Sequence, residues 1–403
     1  MPAKTHFHPS DLRAASRLAI DAVVGITDLV EAMHYNIASA AMPLSKAVAG
    51  TPSGIAGLAY RTVRGVTRMV GGGIDIALAP LAALLEERES SSARDAVIAA
   101  LNGVLGDYLA ETSNPLALAM QWRSKGNALA AEKAALQAAF PKASAKVLVL
   151  VHGLCMSDQQ WLRDGHDHGV ELSHDLGYTP VYLRYNSGLH ISANGREFAA
   201  MLESLMAAWP VPVEDLAILT HSMGGLVARS AVHYGKAAGQ HWPEQLRSLV
   251  FLGTPHHGAP LERGGHWVDT ILGVSPYTAP FTRLGKIRSA GITDLRFGDL
   301  RDEEWQGHEQ HKRTKAARHA LPLPTTTNCY AIAATTGDKP GDLNDRILGD
   351  GLVPVSSALG QHTKAVLDLG IPEARQWVGY GINHMDLLSS ADVYARIKQW
   401  LAH

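Results

Sequence analysis

Cysteine is scarce in this chain of 403 residues: Cys155 and Cys329 are the only two. A secreted disulfide framework is therefore not indicated, and two buried thiols are the expected state. Excess charge of one sign is also missing. The formal net charge is −2, and charged residues make up 18% of the chain. No clustered basic face of the kind that grips nucleic acid is implied, so no nucleic-acid partner is expected. No stretch reaches the roughly 18 uncharged apolar residues that would span a bilayer. The opening MPAKTHFHPSDLRAAS has no basic start, apolar run and small-residue cleavage site. No signal peptide is recognised, and the cytoplasm is the expected location. What is present is a 46% hydrophobic composition, enough for a folded chain with a large core.

Organisation changes near Pro141. Before it, apolar residues recur at three- and four-residue spacing, as in Leu12, Ala15, Ala19, Val23, Ile26 and Val30. Helices are expected over 10–37, over 55–85 with a break at Gly71-Gly72-Gly73, from the serines at 90–92 to Asn114, and over 116–140. Such faces offer contact with lipid or another subunit, a peripheral membrane role. Packing on each other and on the rest of the chain is the preferred reading. After residue 144 the pattern alternates. VLVLV (147–151), PVYLRY (180–185), LAILTH (216–221), LRSLVFLG (246–253), NCYAIAA (328–334) and QWVGYG (376–381) read as strands. Helical stretches separate most of them, which predicts a mostly parallel sheet with helices on both faces. Residues 262–320 break the alternation and read as a cap or lid inserted over the sheet. The expected division is a helical region over 1–143 and a second domain over 144–403.

The chemistry centres on LTHSMGG (219–225). Ser222 follows a strand and precedes a helix, the context of a nucleophile elbow. Gly224 and Gly225 supply the room such a turn needs, but Thr220 stands where glycine is usual. A serine hydroxyl needs a base, a group to orient the base, and donors for the oxyanion. Among twenty histidines, His384 lies between the last strand and the last helix. Asp350, in LGDGLVPVSSA, falls between serine and histidine in chain order. Asp338, Asp342 and Asp345 compete with it. The loop HGL after VLVLV offers the N–H of Leu154, and the residue after the serine offers that of Met223.

Together VLVLVHGL, LTHSMGGLVAR, FLGTPHHGAP, GDGLVPVSSA and INHMDLL resemble an α/β-hydrolase of the lipase and esterase type over residues 144–403. The resemblance implies an α/β-hydrolase fold. It also implies hydrolysis of carboxylic esters, with Ser222, Asp350 and His384 as catalytic triad and Leu154 and Met223 as the oxyanion hole. No metal or organic cofactor is expected. Trp267, Ile271, Leu272, Tyr277 and Phe281 in the insertion are expected to form an apolar cap for the acyl part of a lipid or small ester. An acyltransferase on the same triad is the near alternative, and a non-catalytic scaffold binding membrane or partner the distant one. Oligomeric state is left open. His166, His168 and His174 match no strong ligand spacing and read as structural, and Asp386 is not read as a calcium ligand. His256 and His257 read as a structural turn at the rim.

Overall fold

The structure, a computed structural model, describes residues 92–258, 289–306, 321–338 and 349–402. Asp95–Ala110 and Ala117–His403 form one compact unit. Its backbone is an eight-stranded sheet in the order β2-β1-β4-β3-β5-β6-β7-β8. The strands are β1 Gln121–Ser124, β2 Asn127–Leu129, β3 Lys146–Val151, β4 Thr179–Arg184, β5 Asp215–His221, β6 Leu246–Leu252, β7 Asn328–Thr335 and β8 Gln376–Tyr380. From β4 across to β8 every pairing is parallel. The principal helices are α1 Ser92–Glu111, α2 Lys133–Ala139, α3 His168–Leu176, α4 Ile191–Ala208, α5 Met223–Ala237, α6 Ala290–Phe297 and α7 Ala391–Leu401.

Alternation along each central strand sorts its side chains between two faces. Leu148, Leu150, Ala217, Leu219, Val250, Leu252 and Ile332 join Leu172 of α3 and Val393, Ile397 and Trp400 of α7 in one buried cluster. Between them, Val147, Val149, Ile218, Leu249 and Phe251 are fully buried on the opposite face, the side on which right-handed crossovers place α4 and α5. The chain leaves β3 toward β4 and leaves β5 toward β6, in opposite directions across the sheet. The ends of β3 and β5 therefore flank the switch point where open α/β sheets hold their ligands. This is the α/β-hydrolase fold.

One expectation needs correcting. No helix runs over 116–140: that segment holds the β1–β2 hairpin and only the short α2. The hairpin turns at Lys125 and Gly126, both with positive φ, 49° and 79°, as a two-residue turn matched to strand twist requires. β1 pairs antiparallel with β4, which adds an antiparallel edge to the sheet ahead of β3. The helices expected over 10–85 lie outside the described residues. Within the insertion only 289–306 is described, and it is tied down. Ser289 Oγ donates to Gly103 O (2.7 Å), Ala290 N–H to Asp107 (2.7 Å) and Gly291 N–H to Gly188 O (3.0 Å). No helix of the described residues is long and apolar enough to cross a membrane.

Histidines are built into the core as neutral groups. Burial pushes His152 and His168 down to about 4 and holds His221 and His256 well below their usual value. His168 donates through Nε2 to Leu387 O (2.9 Å) and accepts at Nδ1 from His166 (2.7 Å), so its ring is fully used in structure. The unfolded chain takes up these protons near pH 6.5, whereas the folded chain resists until about 4. Stability is therefore fully present above about 6.5 and falls as the pH drops toward 4. The loss is about 1.4 kcal/mol per pH unit for each such group. Urea midpoints measured at pH 7.5, 6 and 5 are expected to fall steadily; a flat profile would mean these rings are protonated in the fold.

Candidate active site

Ser222 caps α5 with φ 54° and ψ −124°, a conformation that an L-residue adopts only when its surroundings impose it. Its N–H donates to Leu252 O (2.8 Å), and its C=O accepts from Gly225 N–H (3.1 Å). The turn is tight enough that a Cβ on Gly224 would lie 2.5 Å from Val151 O and 2.6 Å from His152 O. A Cβ on Gly225 would run into Thr254 Oγ1. Gly224→Ala pits a methyl against two main-chain carbonyls, so a loss of about 1–3 kcal/mol is expected in thermal unfolding, with turnover falling alongside. Thr220 fits because its fully buried side chain turns toward the neighbouring strand, where Oγ1 donates to Val250 O (3.0 Å). Thr220→Ala is expected to cost about 1 kcal/mol of stability and to leave turnover unchanged. A fall in turnover with stability retained would tie the hydroxyl to the chemistry.

Asp350 and His384 meet, both almost wholly buried. His384 Nδ1 lies 2.7 Å from Asp350 Oδ2, and His384 N–H donates to Asp350 O (3.1 Å). The other carboxylate oxygen, Oδ1, accepts from Leu352 N–H (3.0 Å) and Val353 N–H (2.8 Å). A carboxylate so held accepts the Nδ1 proton, which leaves Nε2 bare as a base. Asp386 serves elsewhere, closing its own turn by accepting from Asn383 N–H (3.1 Å). Asp342 and Asp345 lie outside the described residues.

The serine and the histidine flank the same strand end. Ser222 is bonded to Leu252, and the His384 ring sits on the next residue, Gly253, where a Cβ would be 3.0 Å from Cε1. Ser222 Oγ and His384 Nε2 are both buried without a hydrogen-bond partner. His221, whose part the sequence did not disclose, anchors the His384 backbone: its Nε2–H donates to the His384 carbonyl (3.1 Å), with the two ring centroids 4.7 Å apart. Burial keeps His221 neutral.

The loop after β3 closes the other side. A Cβ on Gly153 would lie 3.0 Å from Ser222 Cβ, which places the buried Leu154 next in chain to a residue in contact with the elbow. His152 stacks on Tyr185 at 4.3 Å and bonds Gly153 O through Nδ1 (2.8 Å), while Tyr185 OH donates to His152 O (2.9 Å). Met223 opens α5, where its N–H has no carbonyl a turn earlier to bond. Farther along α5, Arg229 lies wholly inside the fold. It donates to Leu321 O (2.6 Å) and lies 3.3 Å from His256 Nδ1. Both cysteines are free and buried, and burial raises each thiol to about 12. Trp267, Ile271, Leu272, Tyr277 and Phe281 lie outside the described residues.

The profile of the PGAP1-like alpha/beta domain matches residues 142–321, somewhat less than half of the chain. No curated protein matches the sequence. Among solved structures, the chain is similar to the mature form of the Bacillus licheniformis lipase BlEst2. Identity there is 18% over 64% of this chain and 91% of that one, with a TM-score of 0.42. The Pyrococcus furiosus esterase Pf2001 gives 14% identity over 64% and 80% of the chains, TM-score 0.38. The NocB thioesterase domain from the nocardicin cluster gives 15% over 65% and 96%, TM-score 0.35.

Proposed function

We propose that this chain is a serine hydrolase that cleaves carboxylic esters through an acyl-enzyme. The observation that carries the reading is the pairing of His384 Nδ1 with the Asp350 carboxylate, whose other oxygen is held by two N–H groups, close to a strained serine whose hydroxyl has no hydrogen-bond partner. His384 Nε2 removes the Ser222 proton as Oγ attacks the ester carbonyl. The N–H groups of Leu154 and Met223 receive the oxyanion that forms, where fixed donors lower the barrier by a few kcal/mol each. Collapse of the tetrahedral intermediate breaks the C–O bond to the alcohol, which leaves with the proton held by His384. The same imidazole then deprotonates water, whose attack on the acyl carbonyl frees the acid and restores Ser222. Asp350 keeps the ring in the tautomer that both halves need and balances the imidazolium.

The hydrolase reading predicts turnover of p-nitrophenyl esters, and a series from acetate to palmitate reads the acyl length the site accepts. No turnover at any length would contradict it.

A further inference from the structure

We propose that α1, which lies before the matched domain, sets the position of the oxyanion loop, with Gly103 as its positioning residue. The inference rests on the serine-hydrolase reading and assigns a role to a stretch of the chain that this reading leaves idle.

The contacts run from one end of the loop to the other. At Gly103 the helix backbone lies against Cys155, the residue after Leu154. A Cβ there would run into Cys155 Sγ and come within 2.9 Å of both its Cα and its N. Cys155 has a φ of 59°, a value that a residue with a side chain keeps only under constraint. The constraint comes from two sides: the helix presses on one, and Ser187 Oγ accepts the Cys155 N–H on the other (3.1 Å). Ser187 is itself held to α1, because its neighbour Asn186 donates through Nδ2 to Gly106 O (2.9 Å). Two turns earlier on the helix, Asp95 accepts from Gln159 Nε2 (2.7 Å) and from Arg184 Nη2 (2.8 Å). Arg184 also pairs with Asp158, just beyond the loop. A rigid rod of about 12 Å thus touches the loop at Cys155 and at its far end. Leu154, whose N–H is assigned to the oxyanion, lies between the Gly153 contact with Ser222 and this clamp.

Moving Cys155 turns the peptide planes before it, and a displacement near 1 Å at a reacting geometry costs about a hundredfold. The expectation for purified full-length protein acting on p-nitrophenyl butyrate follows. Gly103→Ala lowers kcat roughly tenfold or more with KM nearly unchanged. Cys155→Ala has little effect alone, and the double variant recovers part of the lost kcat, because the colliding sulfur is gone while Cys155 Cα and N still crowd the new Cβ. Leu109→Ala, a core truncation on the same helix, lowers the melting temperature and leaves kcat in place. Should Gly103→Ala fail to fold, recovery of folding and turnover in the double variant supports the same contact. Wild-type kcat in Gly103→Ala, or a double variant no better than the single, would overturn the inference. A wild-type protein that turns over no ester would instead remove the hydrolase reading on which it stands.

Discussion

Ser222→Ala is expected to abolish ester turnover, by about a million-fold in kcat, the scale on which a nucleophile's loss is felt. The variant is also expected to fold as well as the parent. Ser222 Oγ has no hydrogen-bond partner inside the protein, so its removal orphans nothing. Alanine keeps the Cβ, so the cost of φ 54° is the same in both. The expected change in stability is within about 0.5 kcal/mol. An inactive and well-folded variant separates a chemical role from a structural one, which a variant that merely unfolds cannot do. Circular dichroism melts alongside p-nitrophenyl ester kinetics check both halves. Residual turnover above a thousandth of wild type would place the nucleophile elsewhere.

Asp350→Asn is expected to lower kcat by about 10,000-fold through the tautomer of His384 alone. The amide has nearly the shape of the carboxylate. Its oxygen still accepts from Leu352 N–H and Val353 N–H, the pair now held by Oδ1. That choice turns the NH2 toward His384 Nδ1, now 2.7 Å from Oδ2. Nδ1 must then accept, the proton moves to Nε2, and the base has no lone pair for Ser222. Binding of the ester is untouched, so KM is expected to stay near wild type while kcat falls. Asp350→Ala is the contrasting variant. It also strips two N–H groups of their acceptor and is expected to destabilise the fold by about 1–3 kcal/mol. Activity retained in Asp350→Asn would mean that another group orients the imidazole.

The central sheet was legible because a parallel strand buried on both faces is apolar along its buried run, and VLVLV (147–151) and LVFL (249–252) have that character. The pairing of Asp350 with His384 was legible through chain order: the candidate serine, acid and histidine each follow a strand at the edge where loops converge. The hairpin at 121–129 was hidden for local reasons. Its strands have four and three residues, only Trp122 and Leu129 carry burial, and its turn is Lys-Gly rather than Asn-Gly. The alanine- and leucine-rich residues around it imitate a helix. Gly103 was illegible for another reason. Glycine within a helix reads as a weak point, and only the fold reveals that its missing side chain makes space for a loop 52 residues away (155 − 103). Thr220 looked like an obstacle from the motif, but the strand beside it supplies an acceptor at Val250.

The measurement that tests the central claim most directly is covalent labelling by a fluorophosphonate, followed by mass spectrometry of the labelled peptide. The account predicts one adduct per chain on Ser222, absent from Ser222→Ala and strongly slowed in Asp350→Asn. An adduct on any other residue, or none on a protein that still hydrolyses esters, would contradict it.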